Sequence, residues 1–506
     1  MPANTSLNNV DFKYIEAERD PNLTRYFIET ESFHRIFKGD KMYVIGRKGT
    51  GKSSIYAAIL NMPKSQQYAV VGLTFDKYPW QLHNKIKDET KSQDSAHIAA
   101  WRYIILIELA KLLLDEAKDS GKKSDELKKV AKFVEDAYGT PRPSLDDLLP
   151  ALVDRIRRIR KLELPSLGHT GIRGGSIEFD PKESAETSLL STVKAAIDTI
   201  GETILELLGN RYYFVLFDKL DDGWDNSAEF KSSMVGLLRA SRDLNIEAQK
   251  RKKLLRCVVF LRSDIYDSIQ YNDKNKAFPD IELLAWNEKT PQSLVNKRIA
   301  KSIGLKNEAE GWGKIFQDET MRSGTSNFKY IVRRTLLRPR DLITFCQECK
   351  AAALQNKHDI IQNDDVYYAE ERYSERVYRE FGDEMHKQCP QVDRLFEVLR
   401  RLRSERFTFQ DFEAEYLRAQ VPDLTASEAL RILFEYSIVG VIRKGGSGGG
   451  STLEFKFTHP LIQLDFSREI VVHPGLKKHL KLVEKRSKAI PLEEDELFTG
   501  LPSVEN

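Results

Sequence analysis

The chain has 506 residues, 41% of them hydrophobic, which is long enough for roughly three domains of about 150 residues. Its 79 Lys and Arg against 76 Asp and Glu leave a formal net charge of +3, which excludes a strong overall field for polyanions, so any nucleic-acid surface is a local patch. Four cysteines are too few for a disulfide framework, Met1 is followed by polar residues instead of a charged-then-apolar leader, and the apolar run Trp101 to Leu114 is broken by Arg102, Glu108 and Lys111. These features predict a cytoplasmic protein without a membrane segment, and a buried helix around Trp101.

In chain order, Gly39-Asp40 reads as a turn into Met42-Tyr43-Val44-Ile45, a β-branched and aromatic run bounded by Gly46 that predicts a buried strand. Helical periodicity follows from Lys52 to Leu60. Tyr68 to Phe75 predicts a second strand, which runs into Asp76-Lys77-Tyr78-Pro79-Trp80, where the proline stops it. Residues 81–209 are helix-patterned, interrupted from Leu164 to Ser184 by a Pro-, Gly- and Ser-bearing stretch, and predict a helical insertion with a mobile loop. Tyr212 to Phe217, ending at Asp218, and Cys257 to Leu261, ending at Arg262, are continuous apolar runs. Strands apolar on both faces belong inside a parallel sheet covered by helices. Helical periodicity returns over 288–388. Residues 389–485 read as a small separate domain of helical pieces, a strand Ser437 to Arg443, a Gly/Ser loop over 445–451 and a strand Leu453 to Phe457, the outline of a winged helix. An acidic tail occupies 486–506.

The segment Gly46-Arg47-Lys48-Gly49-Thr50-Gly51-Lys52-Ser53 fits G-x-x-x-x-G-K-[ST] without a gap, after a strand and before a helix. Its glycines let successive backbone N–H groups turn inward around an anion, and the helix aims its positive end at the same point. Lys52 is the candidate for neutralising β- and γ-phosphates and Ser53 for ligating Mg²⁺, with Ser54 completing the nucleotide-binding stretch 46–54. The metal also requires an acid at the end of a neighbouring strand. Asp218 is the candidate. Asp221 and Asp222, in Asp218-Lys219-Leu220-Asp221-Asp222-Gly223-Trp224, are the candidates for orienting an attacking water, against the alternative of a solvated capping turn.

These motifs resemble the ASCE division of P-loop ATPases, and within it the AAA+-related group that includes KAP and STAND ATPases, over about residues 10–390. The resemblance implies an α/β P-loop core from 1–80 and 210–287, a helical insertion over 81–209 and a helical lid over 288–388. It also implies a γ-phosphate-reading residue at the end of the strand after Asp218, here Arg262, and a Pro-Arg lid element. Leu337-Arg338-Pro339-Arg340-Asp341-Leu342 looks like that element, with Pro339 at a helix start, Arg340 as the nucleotide-sensing arginine and Arg338 as its alternate. One departure is Lys219, where AAA+ enzymes usually carry a catalytic Glu; it implies slow turnover or pure switching, whereas Asp221 matches the Asp-x-x-Asp arrangement of KAP-like proteins. The Gly-Arg-Lys-Gly loop with the Leu-Asp-Asp-Gly-Trp turn is similar to bacterial P-loop ATPases of stress or anti-phage defence. The implied function is an ATP- and Mg²⁺-dependent switch acting as a homo-oligomer or on a partner effector. The alternatives are a DNA loader or remodeller, binding nucleic acid through the C-terminal module as origin-recognition-type initiators do, and a nucleotide-stabilised scaffold with little hydrolysis.

Other features read as structural. Cys346 and Cys349 form a lone C-x-x-C that His386 and Cys389 do not extend to a zinc site. Tyr367, Tyr368, Tyr373 and Tyr378 at helical spacing read as core or interface, and Lys250-Arg251-Lys252-Lys253 as a solvated loop.

Overall fold

The computed structural model describes residues 7–62, 67–75, 93–121, 124–145, 197–272, 274–286, 289–321, 324–386, 389–443, 452–459 and 462–483. The segments Asp76 to Trp80 and Leu164 to Ser184, the Gly/Ser loop and the acidic tail lie outside them. The chain forms two units, one spanning Phe27–Ala285 and the other combining Met1–Tyr26 with Trp286–Asn506.

In the first unit, β1 (Tyr43–Gly46), β2 (Tyr68–Thr74), β3 (Tyr212–Asp218), β4 (Leu254–Arg262) and β5 (Ile281–Leu283) form one sheet in the order β2-β3-β4-β1-β5. All pairings are parallel. The pleat sends alternate side chains to opposite faces, and both faces are covered, which is why β1, β3 and β4 are apolar almost throughout. Val44, Phe214, Leu216, Val258 and Phe260 pack with Phe33 and Ile36 of the helix Glu31–Lys38 and with Ile55, Tyr56 and Ile59 of the helix Lys52–Leu60. Ile45, Val215, Phe217, Cys257 and Val259 join the opposite core with the helices Gln93–Ser120 and Ala228–Lys250. Trp101 is fully buried there and donates Nε1–H to the Ser233 carbonyl at 2.9 Å.

Parallel strands bring their carboxyl ends to one edge. The register pairs Gly46 with Arg262 and Phe217 with Val259, so β4 places Arg262 between the segment leaving β1 and the end of β3. Crevices outside the carboxyl ends of such a sheet, where the connections change direction, are its natural ligand sites.

The second unit is helical through Arg401, then adds the helices Phe409–Ala419 and Ala426–Glu435 and a mainly antiparallel sheet. Its strands β6 (Arg406–Phe407), β7 (Val439–Arg443), β8 (Thr452–Glu454) and β9 (Ile470–Val472) lie in the order β6-β9-β7-β8. Although 288–388 and 389–485 read as separate in the sequence, Phe345, Tyr373, Phe396, Leu430 and Ile470 belong to one continuous core. Tyr373 stacks on Phe345 at 4.3 Å, Tyr378 on His479 at 4.3 Å, and Cys346 and Cys349 are buried.

The N-terminal residues differ from the expectation that placed them with the sheet. Leu7, Val10 and Phe12 join the core of the second unit. Arg298 donates Nε–H and Nη2–H to the carbonyls of Asp11 and Tyr14, both at 2.7 Å, and pairs with buried Asp20 at 3.3 Å. The basic run after the helix Ala228–Lys250 also has a structural use, because Lys253 Nζ donates to the carbonyls of Glu206 and Leu208 at 2.9 and 2.5 Å. Among the described residues, no helix is long and apolar enough to cross a membrane.

Candidate nucleotide site at the carboxyl edge of the parallel sheet

The loop after β1 is shaped by backbone conformation. Gly49 and Gly51 have φ of +84° and +97°, a region where a side chain costs about 1–2 kcal/mol. Thr50 is buried and donates Oγ1–H to the Arg47 carbonyl at 2.8 Å, which closes the turn. The helix Lys52–Leu60 starts immediately after Gly51. The first-turn N–H groups of Lys52 and Ser53 therefore lie at a helix N-terminus, where an intrahelical acceptor at i−4 is lacking and the dipole favours an anion, while the Ser54 N–H donates to the Gly51 carbonyl at 3.1 Å.

Lys52 Nζ folds back onto the loop, donating to the carbonyls of Gly46 at 2.8 Å and Arg47 at 3.0 Å. Burial lowers its pKa to about 8, opposed by the negative charges of Asp221, Asp218 and Asp264 and reinforced by Arg262. Lys52, these three acids and Arg262 thus form one electrostatically coupled group.

Each partner is held by its strand end. Asp218 is the buried last residue of β3, in register with Thr74 of β2. Lys219 adopts φ +58° and cannot continue the strand; the chain turns into the short 3₁₀ segment Leu220–Gly223. Leu220 and Trp224 are buried and fix this turn, Trp224 meeting Phe230 edge-on at 5.3 Å. Asp221 within it reaches Arg262 Nη1 at 3.5 Å. Asp222 is exposed. Arg262 Nε and Nη2 donate to Asp264 Oδ1 and Oδ2 at 3.0 and 2.6 Å.

Pro339 and Arg340 open the helix Pro339–Gln355 of the other unit, with Arg338 as its N-cap. Arg338 is buried and paired with Asp341 at 2.9 Å, Glu384 at 3.1 Å and Glu380 at 3.6 Å, whereas Arg340 is partly exposed. Sequence reasoning did not nominate Asp264 or Thr74. Asp264 stands two residues after Arg262, but only the fold shows that its carboxylate grips that arginine.

A glycine-rich loop joining a central parallel strand to a helix, with an acid closing a nearby strand, defines the class: the first unit has the α/β fold of a P-loop NTPase. Residues 291–382 match the FunZ-associated C-terminal helical domain. The chain is 25% identical over 529 aligned positions to an 80.3 kDa protein assigned to transposon gamma-delta of Escherichia coli strain K12, covering 98% of this chain and 70% of that protein. Among solved structures, Cdc6p from Pyrobaculum aerophilum aligns at 12% identity and a TM-score of 0.30, covering 94% of this chain and 95% of its own. The Drosophila ORC bound to DNA aligns at 11% identity and a TM-score of 0.30, covering 94% of this chain and 90% of its own. Scores of that size define no shared architecture.

Proposed function

We propose that the protein is an ATP-binding, slowly ATP-hydrolysing switch of the AAA+-related group. The observation that supports this most directly is the gathering of Lys52, Asp218, Asp221 and Arg262 at one sheet edge. The donor set fits a magnesium nucleotide: the helix N-terminus after Gly51 and the Lys52 ammonium for phosphates, and the hard oxygens of Ser53 and Asp218 for the metal. Mg²⁺ generally takes one or two protein oxygens together with phosphate oxygens and water, and the described residues contain no cluster of three or more His, Cys, Asp or Glu that would cage a metal by itself.

Mg²⁺ would supply charge neutralisation at the β- and γ-oxygens. The loop residues Gly46 to Ser54, Arg47 and Lys48 among them, position the phosphates. Arg262 reads the terminal phosphate, and Asp221 orients water in place of the glutamate that Lys219 replaces. Pro339 and Arg340 are assigned to nucleotide sensing by sequence resemblance. We further assign the protein to the cytoplasm, as a homo-oligomer or with an effector protein, its four cysteines being buried and unbridged. Anti-phage defence or stress signalling is the biological setting the sequence resemblance suggests, tested by phage plaque counts on cells with and without the gene.

Phosphate release tests the chemistry. Wild type should turn over ATP slowly, with Asp218→Asn and Asp221→Asn lowering the rate about 100-fold and Asp222→Asn leaving it nearly unchanged. Equal rates for wild type and Asp218→Asn would refute the proposal; nucleotide binding without release would favour the scaffold. A second reading, DNA binding, is favoured by the helix pair Phe409–Ala419 and Ala426–Glu435 followed by the antiparallel β7–β8 pair, a winged-helix-like order. Duplex affinity falling steeply with salt would support it, and no binding at low salt would remove it.

A further inference from the structure

The guanidinium of Arg262 has two differently used edges. Nε and Nη2 are both taken by the Asp264 carboxylate, at 3.0 and 2.6 Å. A two-point fork of this kind fixes the orientation of an arginine as well as its position. Nη1 is turned toward Asp221 at 3.5 Å, beyond the usual hydrogen-bond range. The side chains of Arg262 and Asp264 are only 16% and 23% exposed, so water competes weakly for the fork. The backbone places this pair one strand from the loop, Arg262 lying in register with Gly46.

We propose, building on the nucleotide reading above, that Asp264 is a positioning residue that sets the preference of the site for a nucleoside triphosphate over a diphosphate. It locks the Nε/Nη2 edge of Arg262 so that Nη1 faces the place of a terminal phosphate, and Asp221 holds that direction in the nucleotide-free protein. An arriving γ-phosphate, with more charge than a carboxylate, displaces Asp221 from Nη1 and leaves its oxygens to accept from water. Without Asp264 the guanidinium loses its two-point hold and can turn toward Asp221, which withdraws it from the phosphate. Asp264 itself touches no nucleotide.

The test is the ratio of ATP to ADP affinity, measured with Mg²⁺ by titration calorimetry on the full chain, with thermal unfolding recorded in parallel. Wild type should prefer ATP. Arg262→Ala and Asp264→Ala should each lower that preference about tenfold or more, the double variant should be no worse than Arg262→Ala alone, and Asp264→Glu should restore part of it. ADP affinity should stay near wild type in Asp264→Ala, which a general loss of folding would not allow. An unchanged ATP to ADP ratio in Asp264→Ala, multiplied losses in the double variant, or no ATP preference in wild type overturns the proposal while nucleotide binding stands. If wild type binds neither nucleotide, the nucleotide reading fails and takes this proposal with it.

Discussion

Raising the pH from 7 to 9 should weaken ATP binding about tenfold, through Lys52 alone. In the nucleotide-free protein its pKa is lowered to about 8 by burial against the loop, so roughly nine in ten molecules carry the charge at pH 7 and roughly one in ten at pH 9. Phosphate oxygens favour the ammonium and raise its pKa in the complex. The complex therefore holds the proton more tightly than the free protein, and affinity falls as pH rises through 8, approaching about tenfold per unit, while it is flat below 7. The terminal phosphate of the nucleotide, with a second pKa of about 6, is already ionised across this range. Calorimetric titration of a non-hydrolysable ATP analogue in two buffers of different ionisation enthalpy reads the proton directly. Uptake should rise from about 0.1 proton at pH 7 to about 0.5 at pH 8 and about 0.9 at pH 9. A flat affinity with no buffer dependence would refute this role for Lys52.

The two arginines at the start of the helix Pro339–Gln355 should separate by readout. Arg338→Ala leaves Asp341, Glu380 and Glu384 without their shared buried cation and should destabilise the second unit by about 3–5 kcal/mol, whereas Arg340→Ala should stay within about 0.5 kcal/mol in thermal unfolding. Arg298→Ala removes the clasp on Asp11, Tyr14 and Asp20, so chymotryptic cleavage near Phe12 and Tyr14 should quicken markedly; an unchanged digest would show that the apolar contacts of Leu7, Val10 and Phe12 suffice. Trp101→Ala empties a fully buried site and should cost about 3–5 kcal/mol by denaturant unfolding, with a loss below 1 kcal/mol contradicting the packing described.

Much of the parallel-sheet unit was legible because its signals are local. The helix Lys52–Leu60 follows directly from the loop motif, and β3 ends at Asp218 as its apolar run predicts. What escaped was non-local. β5 and β9 have three residues each and β6 two, too few to show periodicity, and they exist because a neighbouring strand offers them an edge. The sequence groups the N-terminal segment with the sheet only by proximity along the chain, since its true partners Arg298 and Lys350 lie roughly 290 to 340 positions away; Lys350 Nζ donates to the carbonyls of Asn8 and Val10 at 3.0 and 2.6 Å, and no local pattern announces such contacts. The sequence ranks Arg340 ahead of Arg338 for sensing by resemblance, but it does not show that Arg338 is the one buried against the acids of the helix Asn363–Met385, because those partners lie about 40 positions away. Asp264 is inconspicuous in the sequence: an acid two residues from an arginine is commonplace, and its significance comes from the strand end that brings both side chains together.

The central claim is that the loop Gly46 to Ser53 holds the phosphates of a nucleotide through the Lys52 ammonium. Titrating wild type and Lys52→Ala with MgATP at pH 7 tests it most directly. Wild type should bind, and the variant should lose at least about tenfold in affinity, the smallest loss expected when a charged hydrogen bond to phosphate disappears. Equal affinities, or no heat from either protein, would contradict it.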